Sequence, residues 1–174
     1  AVGDEIRQRI VEELDYELAA SKHRSLARIY RGHPFIHVPD VITSLSRERV
    51  IVSEFVDGDG FEVLRSAPQP ERDRVGEIVY RFYFGCMYRH RRFSGDPHPG
   101  NMLRLQDGRI AFIDFGLFKA VEPETVELEL ASARAVIEGD AEELHRLWTL
   151  GGFLPDPEKL DPQALLAWGR DATW

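Results

Sequence analysis

The sequence predicts an α+β fold in which a small β-containing part is followed by a larger helical part. Three observations carry this expectation. Ile6, Ile10, Leu14 and Leu18 recur every four residues with charged residues between them, the spacing of an amphipathic helix over 4–29. Two short alternating runs flank Asp107-Gly108, which predicts a β-hairpin, since Asp and Gly tolerate the positive φ of a type I′ turn. Past Gly116 the pattern is helical to the end.

Between these landmarks, Gly32-His33-Pro34 ends the first helix, and Ile36 to Ile42 forms a short β-type stretch interrupted by Pro39. Arg49 to Val56 is rich in β-branched residues and runs into Asp57-Gly-Asp-Gly60, so it predicts a strand entering a loop. A lobe boundary is expected there, dividing the chain into 1–60 and 61–174. From Pro70 to Arg92, the residues Val75, Ile78, Val79, Phe82, Phe84, Met87 and Tyr88 occupy much of a helix circumference and predict a mostly buried helix. Pro123 starts a further helix that Gly139 stops, Asp140 and Glu143 predict a capping box for the next, and Asp161-Pro162 opens the last.

At 174 residues, with 43% hydrophobic and 30% charged residues, the chain has the composition of one globular domain. Its 22 basic and 30 acidic residues give a net charge of −8, which argues against a nucleic-acid partner. No run of ~18 apolar residues suggests a membrane span. Cys86, the single cysteine, lies among apolar residues and reads as a buried thiol in a reducing, cytoplasmic setting. The chain opens on Ala1 and stops within a helical pattern, so it reads as part of a longer protein.

The chemistry is concentrated in Asp96-Pro-His-Pro-Gly-Asn101 and Asp114-Phe-Gly116. An Asp, an Asn five residues later, and a second Asp brought back by a hairpin suit phosphoryl transfer. That reaction needs a carboxylate to orient the acceptor and hard oxygen ligands to hold Mg²⁺ against nucleotide phosphates. The same spacing is the catalytic-loop and metal-loop pair of protein kinases. His98 suits either a phosphate or metal-linked contact or a role in stabilising the loop between Pro97 and Pro99. By spacing alone, Glu13 and Asp15 belong to a solvated helix face, and the basic run Arg89 to Arg92 to a solvated helix end that can also attract anions.

Together with Glu13-Leu-Asp15-Tyr16 and the hinge-like Ser53-Glu-Phe-Val-Asp-Gly58, these strings resemble the UbiB (AarF) family of atypical kinase-like proteins from about Glu12 to beyond Gly116. The resemblance implies a protein-kinase-like fold, with the remainder of a small lobe in 1–60 and a helical large lobe in 61–174. It further implies ATP and Mg²⁺ as cofactors, an ATP-dependent phosphotransferase or ATPase activity, and a context of quinone (ubiquinone-type) or lipid metabolism. A quinone precursor or lipid would be a partner, with membrane contact through segments outside this chain. Residue by residue, Asp96 would be the catalytic carboxylate with His98 beside it, Asn101 and Asp114 the metal ligands, the backbone of Glu54 and Val56 the adenine hinge, and Glu13 and Asp15 the family's Glu-x-Asp pair.

Departures from the pattern are Ala19, where the family usually has a Glu, and Ser94-Gly95, where it usually has His-Ala. The phosphate-covering loop, its Lys strand and the Lys-x-Gly-Gln segment would precede Ala1, so this stretch by itself is expected to be inactive. Two other readings are a small-molecule phosphotransferase of the aminoglycoside or choline kinase type, and a nucleotide-binding pseudokinase with a regulatory role.

Overall fold

The structure, a computed structural model, describes residues 16–172. The chain forms two compact units, 1–120 and 121–174.

The first unit opens with α1 (Tyr16–Ile29), whose buried face carries Ala20, His23, Leu26 and Ala27. Leu18, on the predicted apolar stripe, is exposed, so burial follows a neighbouring stripe instead. The chain turns at Gly32, which has φ +71°, and the His33 Nδ1 accepts the Phe35 and Ile36 amides at 3.3 and 3.2 Å. This places β1 (Ile36–His37) parallel to a strand formed far along the sequence.

Arg49–Val56 does not form the expected strand. Pairing with 40–42 extends over one bridge, Val41 with Ser53, held by Ile42 N to Val52 O and Glu54 N to Asp40 O, both 2.8 Å. The Ser46 hydroxyl accepts the Val52 amide at 3.1 Å, taking a donor that a longer ladder would use. β-Branched residues favour a pleated surface only where a partner strand supplies one.

After β2 (Asp59–Gly60) and the short α2 (Phe61–Arg65), α3 (Gln69–His90) buries Val75, Ile78, Phe82 and Cys86 on one face. The expectation of a mostly buried helix is therefore corrected: Tyr80 is 61% and Phe84 41% exposed. Cys86 is buried, as its setting predicted, and burial pushes its thiol pKa up to about 11.

The chain continues through β3 (Arg92–Ser94), β4 (Met102–Arg104), β5 (Ile110–Phe112) and β6 (Phe118–Ala120). One sheet has the order β1-β5-β4-β2, and β3 pairs antiparallel with β6. The β4–β5 hairpin forms where the sequence predicts it, but its turn differs. Gly108 N donates to Leu105 O at 3.0 Å and Gly108 alone has positive φ, +83°, so Gln106 and Asp107 are the central residues and Gly108 supplies the left-handed step. The sheet packs on α3 through Phe82 and Phe112, whose rings stack at 3.6 Å and 11°.

In the second unit, α4 (Pro123–Glu138), α5 (Ala141–Leu150) and α6 (Pro162–Ala172) enclose Ala135, Val136, Leu144, Leu147 and Leu166. Asp140 caps α5 by accepting the Glu143 amide at 3.0 Å. Only half of the expected capping box forms. The Asp140 N–H already donates to Ala135 O at 2.9 Å in the Schellman turn that ends α4, and the Glu143 carboxylate pairs with Arg146.

Candidate active site

Three backbone devices carry Asp96 and Asp114 to one place. Arg91 ends α3 in a left-handed conformation, φ 52° and ψ 46°, and turns the chain into β3. Pairing of Ser94 with Phe118 continues as Gly95 N to Leu117 O at 3.1 Å, which fixes the residue before Asp96 against the segment after Asp114. The β4–β5 hairpin then returns the chain, and Ile113 N donates to Asn101 O at 3.1 Å. Asn101 is thereby tied through its backbone to the residue before Asp114.

Ser94, Asp96, Asp114 and Gly116 line a polar recess of about 50 Å³. Asp114 Oδ1 accepts the Gly116 amide at 3.0 Å, which orients the carboxylate within its own turn. His98 Nδ1 accepts the Gly100 amide at 3.0 Å and caps the 3-10 turn Pro99–Asn101. Of its two sequence-level roles, the loop-stabilising one therefore has a specific hydrogen bond. That bond leaves the Nδ1 unprotonated, so in the neutral ring the proton lies on Nε2.

Three residues of this neighbourhood were missed by sequence reasoning. Lys22 of α1 donates from Nζ to Gly116 O at 3.0 Å, and its neighbour His23 packs on Phe115 with ring centroids 4.5 Å apart. Burial lowers the His23 pKa, opposed by the Pro39 carbonyl and the Asp40 and Asp114 charges. Tyr83 of α3 has its pKa pushed up to about 12, by burial first and then by the negative charges of Asp96, Cys86 and Asp114. One signal for Lys22 was present: it falls four residues after Leu18, where the apolar spacing calls for another aliphatic residue.

Glu54 and Val56 are not part of the recess. With His37, Asp57, Asp107 and Arg109 they line a separate cavity of about 380 Å³. The Glu54 side chain is engaged by the Asp40 amide at 3.2 Å and His37 Nε2 at 3.5 Å. Among the described residues, neither the Glu54 carbonyl nor the Val56 amide has a hydrogen-bond partner, so one acceptor and one donor stay open on this wall. Glu13 and Asp15 lie outside the described residues.

Among the described residues, no group of three or more His, Cys, Asp or Glu forms an all-protein metal cage. Two exposed aspartates flanking one recess, with an Asn tied in beside them, still fit Mg²⁺. That ion keeps several waters and is held by one or two carboxylates together with substrate phosphates.

Comparison with known proteins places this geometry among relatives. A family model described as the ABC1 atypical kinase-like domain matches residues 1–148. The Arabidopsis thaliana chloroplastic protein ACTIVITY OF BC1 COMPLEX KINASE 1 is 29% identical over 92% of this chain and 24% of its own length. An uncharacterized Synechocystis protein is 30% identical over 71% of this chain and 18% of its own. The solved structure of an Rv3197–erythromycin complex from Mycobacterium tuberculosis is 32% identical with a TM-score of 0.71, covering 84% of this chain and 37% of that one. The chain thus spans about a quarter or less of these curated relatives.

Proposed function

Because the chain belongs to the ABC1 atypical kinase-like family, the UbiB or AarF group, we propose that it carries the acceptor-positioning and metal-binding loops of an ATP-dependent phosphotransferase or ATPase. The observation that supports this most is the shared recess of Asp96 and Asp114, with Asn101 tied by its backbone to the strand that delivers Asp114.

In this reading, Asp96 orients the attacking hydroxyl or water and accepts its proton, while Asn101 and Asp114 hold Mg²⁺. The ion would supply charge neutralisation at the nucleotide phosphates. Gly116, by donating its amide to Asp114, keeps that carboxylate aimed, and Lys22 fixes the Gly116 carbonyl from the other side. The Glu54 carbonyl and Val56 amide receive the adenine edge. The acceptor is a quinone precursor or lipid, reached through membrane contact of the whole protein.

Ala19 favours a second reading, a nucleotide-binding regulator without turnover. The position lacks the carboxylate that would pair with a nucleotide-binding Lys, while Lys22 on the same helix is taken up by a carbonyl.

The test uses the full-length protein with Mg-ATP and reads both nucleotide binding and phosphate release. Asp114→Asn is expected to weaken Mg-dependent binding. Asp96→Asn is expected to leave binding nearly intact and lower turnover by at least ~10²-fold, the lower end of a positioned base's contribution. Normal turnover in Asp96→Asn would remove it as the chemical centre. Binding without any turnover in the wild type would establish the regulator.

A further inference from the structure

On a different face of the first unit, the end of α1, the 32–36 turn and the outer face of α3 enclose a cavity of about 640 Å³ that shares no lining residue with the Asp96/Asp114 recess. Its volume lies within the ~300 to 1,000 Å³ range of small-molecule sites. The α3 wall is an aromatic ladder. Tyr80 stacks on Phe84 at 4.3 Å and 29°, and Phe84 on Tyr88 at 6.0 Å and 23°. Exposed Phe35 and Ile29 face the same cavity. Large apolar side chains one helical turn apart on the solvent side of a helix mark a contact surface more than a core.

The polar groups here are few and unequal. The charge of Arg81 is cancelled by Glu77 at 2.7 Å. Arg89 has no carboxylate partner among the described residues, yet its charge is felt by both Tyr30 and His90. His33 has its Nδ1 committed to two backbone amides, so its neutral ring carries the proton on Nε2. Burial lowers the pKa of His33 and His90, which keeps both rings largely neutral near pH 7. The cavity therefore offers flat apolar walls, one cation without a carboxylate partner among the described residues, and uncharged N–H donors.

We propose that this cavity binds a small planar or apolar molecule bearing one anionic group, with the ring system against Tyr80 and Phe84 and the anion on Arg89. One negative charge matches Arg89, the one guanidinium lining the cavity that has no carboxylate partner among the described residues. A polyanion such as a nucleotide triphosphate would meet the Glu77 carboxylate without further cations to offset it.

The probes are 2-naphthoate and its neutral analogue 2-naphthamide, titrated calorimetrically into the full-length protein. Naphthoate is expected to bind more tightly than the amide. Arg89→Gln should weaken naphthoate by at least ~10-fold, as expected when one charge-assisted hydrogen bond is lost, and leave the amide unchanged. Tyr80→Gln, at an exposed position, should weaken both probes while circular dichroism reports an intact fold. Three results overturn the proposal: no binding of either probe, naphthoate affinity unaffected by Arg89→Gln, or displacement of naphthoate by Mg-ATP, which would assign it to the nucleotide site.

Discussion

The Lys22 ammonium donates to the Gly116 carbonyl across 94 positions of sequence, at 3.0 Å. The next residue on each side reinforces the link, since His23 packs on Phe115. Helix α1 is therefore tied to the Asp114-Phe-Gly116 turn by both a hydrogen bond and a ring contact.

Replacing Lys22 with Met keeps the aliphatic stem and removes the donor. The loss of a half-buried charge-assisted bond is expected to destabilise the protein by about 1 to 3 kcal/mol, read as a lower urea midpoint with an unchanged m-value. Lys22→Arg should recover part of this. An unchanged midpoint in Lys22→Met would mean that packing of His23 and Phe115 alone holds the turn.

Gly100 tests the catalytic loop. A Cβ there would lie 2.9 Å from His98 Nδ1 and 3.2 Å from Cε1, so Gly100→Ala must displace the imidazole and break the cap on the 3-10 turn. Because the loop is exposed, the stability cost should stay on the order of 1 kcal/mol, whereas phosphate release by full-length protein should fall at least ~10-fold through misplacement of Asp96 and Asn101. Unaltered release kinetics would disconnect the His98 cap from the site.

Phe82 is the bolt of the first unit. It is buried and stacked on Phe112, with further ring contacts to Tyr30, Tyr83 and Phe118. Phe82→Ala should cost about 3 to 5 kcal/mol, measured by denaturant unfolding, and Phe82→Leu distinctly less. A loss below ~1 kcal/mol would show that this packing contributes little.

Acid sensitivity follows from three histidines. Burial holds the pKa of His23, His33 and His90 below the ordinary value of 6.5, so the unfolded chain binds these protons first as pH falls. Their contribution is fully present above pH 6.5 and is lost as pH drops through 6.5 towards the lower folded-state values. The urea midpoint should therefore be lower at pH 5.5 than at pH 7.5. His23→Met, which removes a buried Nε2 lacking a hydrogen-bond partner among the described residues, should flatten this dependence; an equally steep profile would place its origin elsewhere.

Sequence reasoning was most informative where a local rule acts alone. The Asp107-Gly108 hairpin, the Pro123 start and Gly139 stop of α4, and the Asp140 cap all appear, because turn and cap chemistry is decided within a few residues. The hairpin's turn type and the unused half of the capping box depended on neighbouring hydrogen bonds that spacing does not reveal. The same limit explains Arg49–Val56, whose β-rich composition found only isolated bridges, Val50 with Arg47 and Ser53 with Val41, where a strand was expected.

By itself, the sequence determined the kinase-like family and the α+β class and singled out Asp96, Asn101 and Asp114 as candidates, since motif spacing and hydrophobic period are linear properties of the chain. Only the tertiary structure decided which residues surround that set. Pairing of β3 with β6 put Asp96 and Asp114 on one recess, and the packing of α1 brought Lys22 and His23 to the Asp114 turn. Which face of α3 is buried was settled the same way. Phe82 and Phe84 are alike in residue type, but only Phe82 meets Phe112 of the sheet, because the angular position of a side chain on a packed helix is fixed by its neighbour's surface and not by its own hydrophobicity.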